Sequence, residues 1–254
     1  MSHSQNTNPS PSSLERPSFA TLTGTITTIR IGPNRTKYTV HEDLLCQYST
    51  YFRARLRGNF AESGTRAVQL EHITPEVFEA FLDFLYYGRL PTPPEIWFTE
   101  TDVVSTQPFD RLSIASKDTS DVADPQVSLF EILLIDLYAF ADYYDIPALR
   151  MALIKSIHTS ASASSWIPWF STVRHAYDIL PSNSPLCRLL VEMYAMKYVL
   201  EGDDEGERMA AVGVPVEFWV AVVRRLVGER GRGKEEKEDG EGAWMRGVEE
   251  FDEL

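Results

Sequence analysis

The sequence predicts an α+β chain in which a small mixed sheet packs on a helical cluster and a helical extension follows. Three observations carry this reading. Period-two apolar alternation occurs in short segments up to residue 41 and again near residue 69. From residue 44 onward, most apolar residues return every three or four positions, the spacing of one helix face. The third is charge: of a net -13, residues 91–126 hold two basic against seven acidic residues, and residues 201–254 hold eight against sixteen. Residues 1–90, with nine against eight, and 127–200, with five against six, are nearly neutral. The acid therefore lies in an insert and a tail, and the body between them lacks the clustered positive surface that phosphate backbones require.

Each element has a local cause. Residues 1–18 are Ser, Pro, Asn and Gln for the most part, too polar to offset the entropy of ordering, and are expected to be disordered. Thr25 to Ile31 is dominated by β-branched residues and predicts a strand, and Gly32-Pro33-Asn34-Arg35 supplies a turn. Tyr38 and Val40 resume the alternation, which makes a hairpin. Leu44, Leu45, Tyr48, Phe52 and Leu56 then predict one helix from His41 to about Gly58, and Val68 and Leu70 a short third strand. Thr74-Pro75-Glu76 is a helix start, with a hydroxyl cap, a proline whose missing N–H costs nothing there, and an acid facing the helix dipole. Val77, Phe78, Phe81, Leu82, Phe84 and Leu85 give that helix a wide apolar stripe, and Gly88 ends it.

Beyond the acidic insert, Leu129, Phe130, Leu133, Leu134, Leu137, Tyr138 and Ala141 predict a longer helix, broken at Ile146-Pro147. Another begins with Leu149, Leu153, Ile154 and Ile157, and Ser160 to Ser165 is read as a Ser/Ala linker. Further helices are expected around Val173 to Ile179, from Pro185 to Leu200, and over Pro215 to Val227. The organisation read from this is a domain over 19–158 with a solvent-facing insert at 91–126. A helical extension follows over 166–200, then an acidic tail over 201–254 with an amphipathic helix near 215–227.

Cys46 and Cys187 stand far apart, outside any metal-ligand spacing, so a disulfide-stapled secreted fold is not expected. No run approaches the roughly 18 apolar residues of a membrane span, and residues 1–20 do not read as an export signal. The expectation is a soluble protein of the cytoplasm or nucleus. His41-Glu42-Asp43, Cys46 and His175 are the residues a catalytic or metal reading would use. His-Glu-x-x-His, Gly-x-Gly-x-x-Gly, P-loop and Gly-x-Ser-x-Gly patterns are all missing, and structural roles are expected for these residues. No cofactor or metal is expected, and no direct contact with nucleic acid or membrane.

Several fragments point further. Tyr38-Thr39-Val40-His41 leading to Leu44-Leu45, Ser49-Thr50-Tyr51-Phe52, Phe60-Ala61-Glu62-Ser63, Val68-Gln69-Leu70, Pro75-Glu76-Val77-Phe78 and Leu85-Tyr86-Tyr87-Gly88 stand in the order and spacing of the BTB/POZ domain. Ala141-Asp142-Tyr143-Tyr144 through Leu149 is similar to that family's later stretch, so the resemblance covers about Thr25 to Ile157. The helices after Trp166 resemble extensions of fungal BTB proteins. The sequence departs from the zinc-finger-associated members at Ile26, where they often carry Asp, at Glu42, where they carry Lys or Arg, and in the long insert.

The resemblance implies a BTB/POZ fold and a non-enzymatic protein–protein interaction module that self-associates or binds a partner. It leaves open a substrate adaptor for a cullin-type ubiquitin ligase and a partner-dependent transcriptional regulator. In cullin-binding members a hydrophobic residue and a Glu two positions later dock on the scaffold, which makes Phe60 and Glu62 the candidate contacts here. Tyr48, Tyr51 and Phe52 are expected near the partner-facing helix.

Overall fold

A computed structural model describes residues 22–58, 67–92, 125–163, 166–198 and 211–232. The β-branched run forms β1 (Ile26–Ile31), the middle strand of a three-stranded sheet of order β2-β1-β3. It pairs antiparallel with β2 (Thr36–His41), from Ile26 opposite His41 to Ile31 opposite Thr36. On its other side it pairs parallel with β3 (Ala67–Leu70), Thr28 opposite Ala67 and Ile31 opposite Leu70. The register puts Thr27, Ile29 and Ile31 on the buried face, joined there by Val40, Val68 and Leu70. The hairpin needs two left-handed residues, Gly32 at φ 68° and Arg35 at φ 53°, and the Gly32 N–H donates to the Leu70 carbonyl at 2.9 Å.

The helix expected between His41 and Gly58 is two helices, α1 (Glu42–Tyr48) and α2 (Thr50–Arg57). Ser49 separates them in an extended conformation, φ -130° and ψ 124°. Its buried hydroxyl accepts the Phe52 N–H at 3.0 Å, capping α2, and donates to the Tyr144 carbonyl at 2.6 Å. The apolar period hides this break because Leu44, Leu45 and Phe52 face the same interior on both sides of it.

The next helix, α3 (Pro75–Tyr87), starts and ends as its sequence predicts. The Thr74 hydroxyl accepts the Val77 N–H at 3.4 Å, and Gly88 closes the helix at φ 65°, its N–H on the Phe84 carbonyl at 2.8 Å. Phe78, Phe81, Phe84 and Leu85 are buried beneath it.

Five more helices complete the described chain: α4 (Pro125–Tyr143), α5 (Pro147–Ala163), α6 (Phe170–Ile179), α7 (Pro185–Lys197) and α8 (Val216–Arg232). Two details depart from the sequence reading. Leu129, assigned to the apolar face of α4, is exposed. The supposed linker at Ser160 is still α5, because alanine favours the helix and the Ser162 hydroxyl folds back onto the His158 carbonyl at 2.8 Å. Prolines open α4, α5 and α7, where the first-turn N–H has no helical partner to lose. No helix among the described residues is long and apolar enough to cross a membrane.

The chain forms two compact units. The first takes the residues up to Leu90 together with Tyr143–Leu149, and so holds the sheet and α1 to α3. The second takes Pro91–Asp142 and everything from Arg150 on. The returning segment of the first unit turns through Asp145 in a left-handed conformation, φ 48°.

Candidate interaction surface

The residues singled out for partner binding divide by burial. Phe52 is 0% exposed, its ring stacked on Tyr144 at 5.5 Å and facing Phe81 at 6.5 Å. It is a core residue of the sheet-bearing unit, and the surface of α2 is made by its neighbours. Tyr51 is half-buried, edge-on to Phe52 at 5.4 Å and to Tyr144 at 5.0 Å. Tyr48, at the end of α1, is also half-buried, edge-on to Phe84 at 6.0 Å. Each tyrosine therefore shows a rim to solvent while its face is held by aromatic contacts worth about 0.5–1.5 kcal/mol each beyond area burial. Burial pushes the Tyr48 phenol above its ordinary range and the Tyr144 phenol up to about 12, so both are neutral donors at physiological pH. Phe60 and Glu62, in the connection between α2 and β3, lie outside the described residues.

The outer side of α1 and α2 is polar and locally paired. Arg57 bridges to Asp43 and approaches Glu42 at 3.9 Å, and the Arg53 Nε donates to the Cys46 carbonyl at 2.8 Å, tying α2 back onto α1. The Thr50 hydroxyl donates to the Asp145 carboxylate, close to the Ser49–Tyr144 bond. Thr50, Arg53 and Arg57 of α2 are exposed, and Tyr48 and Tyr51 are half-buried. Amphipathic rings among charges that a partner can re-pair are the composition of recognition surfaces.

The residues considered for catalysis have structural partners. The Tyr86 hydroxyl accepts the His41 backbone N–H at 3.2 Å and lies 2.8 Å from its Nδ1, which fixes the junction of β2 with α1. Cys46 is buried, its thiol on the Phe52 carbonyl at 3.9 Å and its pKa pushed up by burial, the opposite of an activated nucleophile. His175 belongs to the other unit, where Nε2 sits 2.6 Å from Asp136. Among the described residues there is no group of three or more His, Cys, Asp or Glu placed to hold a metal ion.

The helical unit contains buried acids that sequence reasoning passed over. Glu131, on α4, is nearly inaccessible, and its carboxylate accepts from the Trp166 indole at 3.1 Å, the Trp169 N–H at 3.1 Å and the Thr172 hydroxyl at 2.6 Å. Three donors converge on one charge at the start of α6, where the helix dipole also favours it. Glu192 on α7 is buried in a bidentate pair with Arg225 of α8, at 2.6 and 2.5 Å. The signal for Glu131 was legible: an acid inside Phe130-Glu131-Ile132, on an otherwise apolar helix. The Tyr138 hydroxyl, also buried, lies near the Leu186 backbone but outside hydrogen-bond geometry, and burial pushes its pKa up to about 12.

Comparison with known proteins agrees with the fold. The model of the BTB/POZ domain family matches residues 23–106. The chain is 25% identical over 129 residues to BTB/POZ and MATH domain-containing protein 5 of Arabidopsis thaliana, covering 51% of this chain and 27% of that protein. It is 44% identical over 50 residues to human Kelch-like protein 30, covering 20% and 9%, and 33% identical over 72 residues to zebrafish (Danio rerio) Kelch-like protein 38, covering 28% and 12%. The matched stretch thus spans about a quarter or less of the length of each of these relatives.

Proposed function

Residues 23–106 are a BTB/POZ domain, and from that premise we propose that the chain works by binding protein, itself or a partner, and not by catalysis. The observation that carries this reading is the division of labour on α1 and α2. Phe52 and Ser49 close the interior, while Tyr48 and Tyr51 are only half-buried and each leaves an edge accessible on a helix-borne surface. The reactive residue types beside that surface, His41 and Cys46, are each held in a structural bond. We place its action inside the cell, in cytoplasm or nucleus, where both cysteines can remain reduced thiols.

A second reading, a substrate adaptor for a cullin-type ubiquitin ligase, is supported by Phe60-Ala61-Glu62, which falls in sequence between α2 and β3. An aromatic anchor of this kind is worth about 2 kcal/mol, close to thirtyfold in affinity. The test is affinity purification of the full chain with mass spectrometry, together with light scattering over a dilution series. Phe60→Ala should leave the melting curve unchanged and abolish co-purification of a cullin. A wild-type chain that captures no cullin removes the adaptor reading. A wild-type chain that stays monomeric and captures no specific partner at all removes the interaction reading with it.

A further inference from the structure

α8 is apolar on two sides. Phe218 and Val222 are buried against the helical unit, as expected for an amphipathic helix. Val216, Val220, Val223 and Val227 lie on the other side and are between 39% and 71% exposed, with Leu226 beside them. Their spacing of four, three and four is that of a coiled-coil seam, the pattern by which one helix fits a second helix of the same kind. A single helical body gains nothing from a second apolar stripe in water, so the stripe calls for an occupant.

The charges beside the stripe identify it. Glu217 follows Val216 and Arg224 follows Val223, so both project along the same flank, seven residues and about 10.5 Å apart, too far to meet within one helix. Neither has an ion-pair partner among the described residues, whereas the neighbouring Arg225 is committed to Glu192. The electrostatic neighbour of Glu217 is Tyr177, a phenol that burial keeps neutral. Two copies of α8 laid antiparallel set Val220 against Val223 of the other copy, Val216 against Val227, and bring each Glu217 alongside Arg224 of the other chain. A parallel pair leaves both charges unmatched. We infer that α8 is a self-association element, pairing antiparallel with α8 of a second copy through the valine seam and the reciprocal Glu217–Arg224 bridges. The interface is isologous, so it closes at two chains. It is separate from any contact made by the BTB/POZ portion.

The test uses the full chain in sedimentation velocity over a dilution series. Val223→Asp, at an exposed position, should leave the melting curve intact and weaken self-association at least tenfold. Glu217→Arg should weaken it less, and Glu217→Arg combined with Arg224→Glu should restore it, a pattern that contacts elsewhere in the chain cannot produce. Since Cys46 and Cys187 are both buried, V220C and V223C chains mixed under mild oxidation should form chiefly the mixed disulfide. Association that is indifferent to Val223→Asp and Glu217→Arg, with no cross-linking, overturns the inference. So does Val223→Asp that leaves association unchanged but exposes residues 243–251 to protease, which would show that the segment with Trp244, Met245, Val248 and Phe251 covers the stripe instead.

Discussion

In the sheet-bearing unit, the buried polar side chains among the described residues are the neutral hydroxyls of Thr27 and Ser49; the helical unit buries hydroxyls too, at Thr172 and Ser184, but adds two carboxylates. Ser49 needs one donor and one acceptor, finds them in Phe52 and Tyr144, and loses little by leaving water. Around it the interior is hydrocarbon and aromatic ring, so that stability follows volume. Glu131 and Glu192 carry charge into the interior and stay there because three donors and a bidentate arginine, respectively, replace the water. Both units are expected to resent cavities, and the helical unit depends in addition on keeping its buried charges paired.

The largest expected effect tests the first half of that contrast. Phe52→Ala removes a ring packed between Tyr144 and Phe81 and should cost about 3–5 kcal/mol in urea titration. A loss under about 1 kcal/mol would mean the site collapses freely and that volume is not what holds this unit. Glu131→Gln tests the other half. The amide keeps the shape but offers a single carbonyl to three donors, and its NH2 meets one of them head-on. A loss of about 1.5–3 kcal/mol is expected. Wild-type stability in this variant would erase the distinction between the units.

A third effect appears only in alkali. Burial holds Tyr138 and Tyr144 near 12 against an ordinary 10, and Cys187 near 11 against 9. Each is neutral when folded and ionises more readily when unfolded, so the unfolded chain binds fewer protons between the two values. Stability is therefore complete below about pH 9 and falls above it, first through Cys187 in the helical unit and then, from about pH 10 to 12, through both tyrosines. Each group contributes a slope of at most about 1.4 kcal/mol per pH unit. Denaturant midpoints measured from pH 7 to 11.5 read this directly, and a flat profile would contradict the burial assigned to these three side chains.

What could be read in advance depended on whether the signal was local. Thr74, Pro75 and Gly88 bound α3 because each acts within one turn of its own position, and the alternation of Ile29 and Ile31 places β1 by an equally local signal. Ser49 escaped because the evidence for its role lies at Tyr144, far along the chain, while the apolar period ran across it undisturbed. The same holds for Phe52, whose spacing with Tyr48 gives a shared helix face but not which of the two a third element will cover. Glu131 was passed over because its donors, Trp166, Trp169 and Thr172, lie 35 to 41 residues further along the chain.

The segment Tyr143–Leu149 has a consequence for how the protein is made. A nascent chain that has emerged as far as residue 106, where the family match ends, contains all three strands and α1 to α3. It holds neither the ring that stacks on Phe52 nor the carbonyl that receives the Ser49 hydroxyl. That first unit therefore stays ajar on the ribosome until Tyr143–Leu149 has emerged. The acidic insert at 91–126 lengthens this interval. During it, the half-built hydrophobic interior is open to chaperones and to wrong neighbours alike.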